Sequence, residues 1–304
     1  MTRSVIGTND FRGRRVPTPG YTTVRDVTYS GAQKVDVLKP NSANRPIVLV
    51  LHGGGWDSGD KTDPWYALMA ARFADLGFCV GNANYTLTGG AYQTPITNTL
   101  ALVTFFRANG ATYNGDTTRI LIVGASAGGH LALMAGITGV AGGSRPDAVA
   151  GWSAACDLEL AYGQGNGPAT LGVGGYMNIV LAGNETTYRS ISPTRQITSA
   201  CCPLRIVGSS AEDTSASGPG LNVAQYTGMV AAAQAVGVPV VSRIFTSQVH
   251  ALFCSPSLSG PDFNGADDVA GTARWFTQLV QAPTTASNRT VATRTRATGR
   301  TVAA

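Results

Sequence analysis

Five residues, Gly124-Ala125-Ser126-Ala127-Gly128, join an apolar stretch, Ile120-Leu121-Ile122-Val123, to a helix-forming stretch, His130-Leu131-Ala132-Leu133-Met134-Ala135. The order is strand, sharp turn, helix, with a serine at the apex. A turn this tight forces the serine into a strained backbone geometry. Glycines two positions before and two after it let strand and helix approach without a clash. The outcome is an exposed hydroxyl at a helix N-terminus, where the partial positive charge favours a developing anion. A glycine-rich turn that merely connects two elements is the bland alternative. The flanking strand and helix favour a nucleophile.

A second run, His52-Gly53-Gly54-Gly55-Trp56, follows another apolar strand, Ile47-Val48-Leu49-Val50-Leu51. Acyl transfer needs backbone N–H donors aimed at the oxyanion of a tetrahedral intermediate, and glycines keep such a loop open to substrate. Phosphate cradles are also glycine-rich. This run lacks the lysine and Ser/Thr of a P-loop and is not a GxGxxG.

Together these motifs resemble the α/β-hydrolase esterases and lipases, in particular the hormone-sensitive-lipase-like branch and its relatives with a His-Gly-Gly-X-Trp loop. Further matches are Gly59-Asp60-Lys61, Asn84-Tyr85-Thr86-Leu87, Asp116-Thr117-Thr118-Arg119-Ile120, Ser126-Ala127-Gly128-Gly129-His130 and Ser192-Pro193. The resemblance covers roughly residues 27 to 281. It implies an α/β-hydrolase fold, a mostly parallel sheet flanked by helices, with a small or absent cap. It implies oxyanion donors at the N–H groups of Gly54, Gly55 and Ala127, and a loop-shaping role for His52. One departure is Asn98, where relatives usually carry aspartate, which puts a structural contact in question.

A serine hydroxyl needs a base to take its proton, and the base is usually a histidine held by a carboxylate. The chain has three histidines. His52 lies in the oxyanion loop, and His130 lies on the nucleophile helix, where a satisfied, semi-buried role suits it. His250, between the strand-like Val240-Val241-Ser242-Arg243-Ile244-Phe245 and the last helix, remains. On this fold the order is serine, acid, histidine. The acid belongs after the penultimate strand, Pro203-Leu204-Arg205-Ile206-Val207. Asp213 is the expected residue, Glu212 is the neighbour able to displace it, and Asp157 follows the strand after the nucleophile. Asp147, Glu159 and Glu185 read as solvated surface. Trp56, Tyr85, Trp152 and Phe253 are candidates to line the substrate site, with Tyr176, Met177 and Leu252 beside them. Core packing is the alternative for each.

Hydrophobic residues make up 43% of the 304-residue chain and charged residues 13%, enough apolar material for one α/β domain. Of 22 basic residues, eight lie in residues 1–19 and 283–304, so the body keeps 14 basic against 16 acidic residues. The basicity sits in the ends, where no aromatic interleaves the arginines, so nucleic-acid stacking is not indicated. A loose arm over 1–20, a hydrolase domain over 21–282 and a disordered basic tail over 283–304 follow. No apolar run approaches a membrane span. The N-terminus lacks an apolar leader core, so a cytoplasmic location is expected. Five cysteines without framework spacing read as buried apolar residues. No metal-ligand spacing is present, and neither a metal nor a cofactor is expected.

Thr23–Tyr29 and Lys34–Leu38 predict a hairpin around Gly31. Helices are predicted over 63–76, 94–109, 126–139, 221–236 and 265–281. Residues 157–200, rich in glycine, read as a short cap-like insertion. The expected activity is hydrolysis of a small-molecule carboxylic ester with a short acyl group. An arylformamidase-type amidase and a polysaccharide acetyl or feruloyl esterase are the nearest alternatives. A non-catalytic binding protein on a hydrolase fold is a further one.

Overall fold

The computed structural model describes residues 20–87, 91–163, 173–210, 212, 221–245, 250 and 265–281. The predicted arm and tail, and most of the glycine-rich middle of the insertion, lie outside the described residues.

The described strands form one sheet in the order β1-β2-β4-β3-β5-β6-β7-β8. β1 (Tyr21–Ser30) and β2 (Gln33–Pro40) are the predicted hairpin, and β2 also pairs antiparallel with β4 (Cys79–Ala83). All further pairings are parallel: β4 with β3 (Arg45–Leu51), β3 with β5 (Gly115–Ala125), then β6 (Ala148–Trp152), β7 (Leu204–Ser209) and β8 (Val240–Phe245). β1 is largely exposed, as suits an edge strand, whereas β4 and β6 are buried throughout. Continuous apolar runs such as Ile47 to Leu51 follow from burial on both faces.

Side chains alternate between two cores. Ile47, Leu49, Ile120 and Ile122 face one core, with Phe106 of α2 (Gln93–Asn109), Leu131 of α3 (Ala127–Thr138) and Met229 of α8 (Ala224–Ala235). Val48, Val50, Leu121 and Val123 face the other, with Met69 and Phe73 of α1 (Pro64–Asp75) and Phe276 of α9 (Gly265–Gln281). Full burial of such a side chain contributes about 1.5–3 kcal/mol. The helices fall where the sequence predicts them, to within a few residues. No described helix is long and apolar enough to cross a membrane.

The described residues of the 157–200 region do not form a separate layer. Its pieces α4 (Leu158–Gly163), α5 (Val173–Met177), α6 (Glu185–Ser190) and α7 (Pro193–Gln196) are short, and Tyr176, Tyr188 and Ile191 join the main core. Asp157 starts α4 by accepting from the amides of Glu159 (3.1 Å) and Leu160 (3.2 Å), and it pairs with Arg195 at 2.8 Å. Asp147 and Glu159 are not merely solvated: Asp147 pairs with Arg107 at 2.9 Å and Glu159 with Arg189 at 2.7 Å. Cys79, Cys156, Cys201 and Cys202 are free and buried, as read from the sequence, and Cys254 lies outside the described residues.

β3 has β4 on one side and β5 on the other, so the chain leaves the carboxyl ends of these neighbours in different directions. Such a switch point opens a crevice beyond the strand ends. Leu51 of β3 pairs with Gly124 of β5, which brings the His52 and Ser126 turns side by side.

Candidate active site

Ser126 sits between β5 and α3 with φ 56° and ψ −122°, a region that only surrounding constraint holds a serine in. Its amide donates to the Trp152 carbonyl at 2.8 Å, and its own carbonyl accepts from the His130 amide at 3.0 Å. The flanking glycines are sterically required. A Cβ on Gly124 would fall 2.3 Å from the Gly128 carbonyl oxygen, and one on Gly128 would fall 2.4 Å from that of His52. The second contact explains how the nucleophile turn and the glycine loop lie against each other.

The loop is pinned through its carbonyls. Nδ1 of His52 donates to the Gly53 carbonyl at 2.7 Å. The Gly54 carbonyl accepts from the amides of Asp57 (3.2 Å) and Ser58 (3.0 Å) and from the Ser58 hydroxyl (2.8 Å). A trans peptide points its N–H opposite its C=O, so both sets of bonds turn the amides of Gly54 and Gly55 the other way. Gly54 has φ +115°, and a Cβ there would meet the Ser58 carbonyl oxygen at 2.2 Å. Gly53 lies close against the nucleophile: a Cβ on it would lie 3.2 Å from that of Ser126 and 2.6 Å from the Tyr66 hydroxyl.

Aromatic residues brace this loop from behind. Tyr85 stacks on His52 with ring centroids 4.2 Å apart, and its hydroxyl donates to the His52 carbonyl at 2.9 Å. Trp56 stacks on Tyr176 at 4.4 Å, and its indole N–H donates to Nδ1 of His130 at 3.2 Å. Nε2 of His130 therefore carries the proton and donates to the Ile191 carbonyl at 2.8 Å. This corrects the sequence reading of Trp56, Tyr85 and Trp152 as site-lining residues. They are 3%, 2% and 0% exposed: the Trp56 and Tyr85 rings brace the loop, and Trp152 packs in the core beneath the sheet ends. Phe253 lies outside the described residues. Asn98, the departure from the family pattern, accepts from the Thr86 amide at 2.9 Å.

His130 is the satisfied histidine the sequence suggests. Burial lowers its pKa from 6.5 to about 4. The unfolded chain therefore binds the proton first as pH falls, so stability is full above pH 6.5 and declines towards pH 4, by about 3 kcal/mol for this group. Urea unfolding of wild type and His130→Gln at neutral and mildly acidic pH measures it, and the variant should lose that part of the slope.

His250 completes the constellation. Its Nε2 lies 2.9 Å from the Ser126 hydroxyl, and its Nδ1 lies 2.8 Å from Oε2 of Glu212. The carboxylate that reaches the histidine is thus Glu212, not the expected Asp213. Asp213 itself lies outside the described residues, and Asp157 is committed to α4 and Arg195. Glu212 is wholly buried, and Ser153 and Tyr226, which the sequence reading missed, both donate to it at 2.5 Å. Nδ1 donates to the carboxylate and Nε2 accepts from the serine. This relay can draw a proton off Ser126.

The BD-FAE family model matches residues 35–216. Versiconal hemiacetal acetate esterase of Dothistroma septosporum is 35% identical over 97 residues, 32% of this chain and 29% of that protein. Esterase LipQ of Mycobacterium tuberculosis is 32% identical over 94 residues, 31% of this chain and 22% of that protein. The chain thus spans less than a third of the length of these relatives. A truncated carbohydrate esterase from gut microbiota has a similar structure, with TM-score 0.69, 19% identity, and coverage of 85% of this chain and 99% of that one. The acetyl ester-xyloside bifunctional hydrolase of Caldicellulosiruptor lactoaceticus gives TM-score 0.64 at 18% identity, covering 81% and 89%. The matched stretch contains Ser126, the glycine loop and Glu212, and the chain belongs to the BD-FAE family of α/β-hydrolase esterases.

Proposed function

We propose that this protein is a serine carboxylesterase that works through an acyl-enzyme. The observation that carries the reading is the position of His250, within hydrogen-bond reach of both Ser126 and Glu212. Ser126 attacks the ester carbonyl while His250 takes its proton. The N–H groups of Gly54, Gly55 and Ala127 hold the oxyanion, supported by the pinned carbonyls of Gly53 and Gly54. His250 then protonates the leaving alcohol. Water attacks the acyl-enzyme with His250 again as base, and Glu212 keeps the imidazole in the tautomer this needs. The esterase names of the relatives support the same reaction class.

A short acyl group suits the site, since the described residues of the short segments α4, α5 and α6 pack Leu158, Tyr176 and Tyr188 into the main core. Acetyl groups on carbohydrate are a second reading, favoured by the carbohydrate esterase and the acetyl ester-xyloside hydrolase among the structural neighbours. Hydrolysis of p-nitrophenyl acetate, butyrate, octanoate and laurate tests the class. Turnover should fall as the chain lengthens, and acetylated xylo-oligosaccharide should release acetate. A folded protein inert on every ester would overturn the reading in favour of a formamide-cleaving or non-catalytic role.

A further inference from the structure

Glu212 is 0% exposed, and a buried carboxylate is costly unless its lone pairs are filled. Each oxygen has two partners. Oε1 accepts from the Ser153 hydroxyl at 2.5 Å and the Ser209 amide at 3.2 Å. Oε2 accepts from the Tyr226 hydroxyl at 2.5 Å and from Nδ1 of His250 at 2.8 Å. Among the described residues no lysine or arginine pairs with it. Among the described residues, the charged and titratable groups facing it are His250, Tyr226 and the buried thiol of Cys156, whose pKa is raised chiefly by burial, then by Asp157 and Glu212. That thiol stays neutral.

The chain accepts local difficulty to bring the two hydroxyls there. Ser153, just past β6, has φ 43°, a left-handed conformation that is costly for a serine unless surroundings fix it. Tyr226 in α8 reaches the carboxylate by lying across β7 where there is no side chain. A Cβ on Gly208 would sit 2.2 to 2.6 Å from the tyrosine ring. A glutamate also has one more rotatable bond than the aspartate expected at this place, so it needs more to fix it.

We propose that Ser153 and Tyr226 are positioning residues, a two-hydroxyl clamp that holds Glu212 against His250 and draws negative charge away from the pair. The proposal rests on the reading of Ser126, His250 and Glu212 as the catalytic relay. Short hydrogen bonds to a carboxylate disperse its charge and weaken the hold of the His250–Glu212 pair on an added proton. The clamp thereby fixes the carboxylate oxygen that meets Nδ1 of His250 and tempers its charge. Burial, more than the nearby Glu212, raises the Tyr226 phenol far above its ordinary range, so it remains a donor throughout.

Tyr226→Phe and Ser153→Ala in the full chain test this, with two readouts. One is kcat and KM on p-nitrophenyl acetate from acid to mildly alkaline pH. The other is the rate at which a fluorophosphonate probe labels Ser126. Each variant should lower kcat about tenfold or more, leave KM unchanged, move the acid limb of the profile to higher pH and slow labelling to match. The two hydroxyls bind different oxygens, so either folded variant decides. Wild-type labelling and an unmoved acid limb in a folded variant would overturn the clamp, even if thermal stability fell. A wild type that labels but cleaves no ester would remove the esterase reading while labelling still judged the clamp. A wild type that does not label would overturn both.

Discussion

Ser126→Ala is expected to remove ester hydrolysis on the order of 10⁴- to 10⁶-fold while leaving the fold intact. The hydroxyl is the atom that would bond to the acyl carbon, and nothing else described lies within reach of Nε2 of His250. The serine side chain makes no helix cap of its own, so its loss removes chemistry and little else. The strained φ of 56° belongs to the turn and would persist with alanine. Circular dichroism and thermal melting should match the wild type while p-nitrophenyl acetate turnover falls to background. Full activity in the variant would exclude the proposed acyl-enzyme.

Glu212→Gln should cost about 10³- to 10⁴-fold in kcat, whereas Asp213→Asn should leave kcat/KM near the wild type. All four partners of Glu212 are hydrogen-bond donors. A glutamine amide fills one oxygen's place with a group that also donates, so two donors meet there. If that group faces His250, the imidazole must turn its unprotonated nitrogen to the amide. Nε2 then carries the proton and faces Ser126 as a donor, unable to accept. Steady-state kinetics on the two variants, with folding checked by melting, reads the difference. Activity lost in Asp213→Asn and kept in Glu212→Gln would return the acid to Asp213.

Much of this site is legible in the sequence because it is built on regular elements. The strand, turn and helix around Ser126 announce themselves by apolar runs and flanking glycines, and His250 follows from the small number of histidines and the chain order of the relay. The acid is different. Glu212 and Asp213 are neighbours beyond the end of β7, where no period fixes which side chain turns inward. That is decided by Ser153 and Tyr226, which come from distant parts of the chain and meet only at the carboxylate. The hydroxyl-bearing side chains that follow β6 and open α8 were the available signal, but nothing in their spacing points to residue 212. The aromatic residues fail for a related reason. Trp56 beside a catalytic loop reads as a wall for substrate, yet its indole N–H is used by His130, 74 positions along. Such a pairing is invisible until α3 and the loop are placed together.

Tyr176 belongs to the segment between β6 and β7, yet it lies flat against Trp56 of the glycine loop, and its hydroxyl donates to the Tyr92 carbonyl. That segment is therefore no freely exchangeable module. A chimera whose grafted stretch has no aromatic residue at this position would lose the ring behind Trp56, whatever substrate preference it imports. Shuffling of this region would have to preserve one aromatic position, or co-vary it with residue 56, to yield a working catalyst.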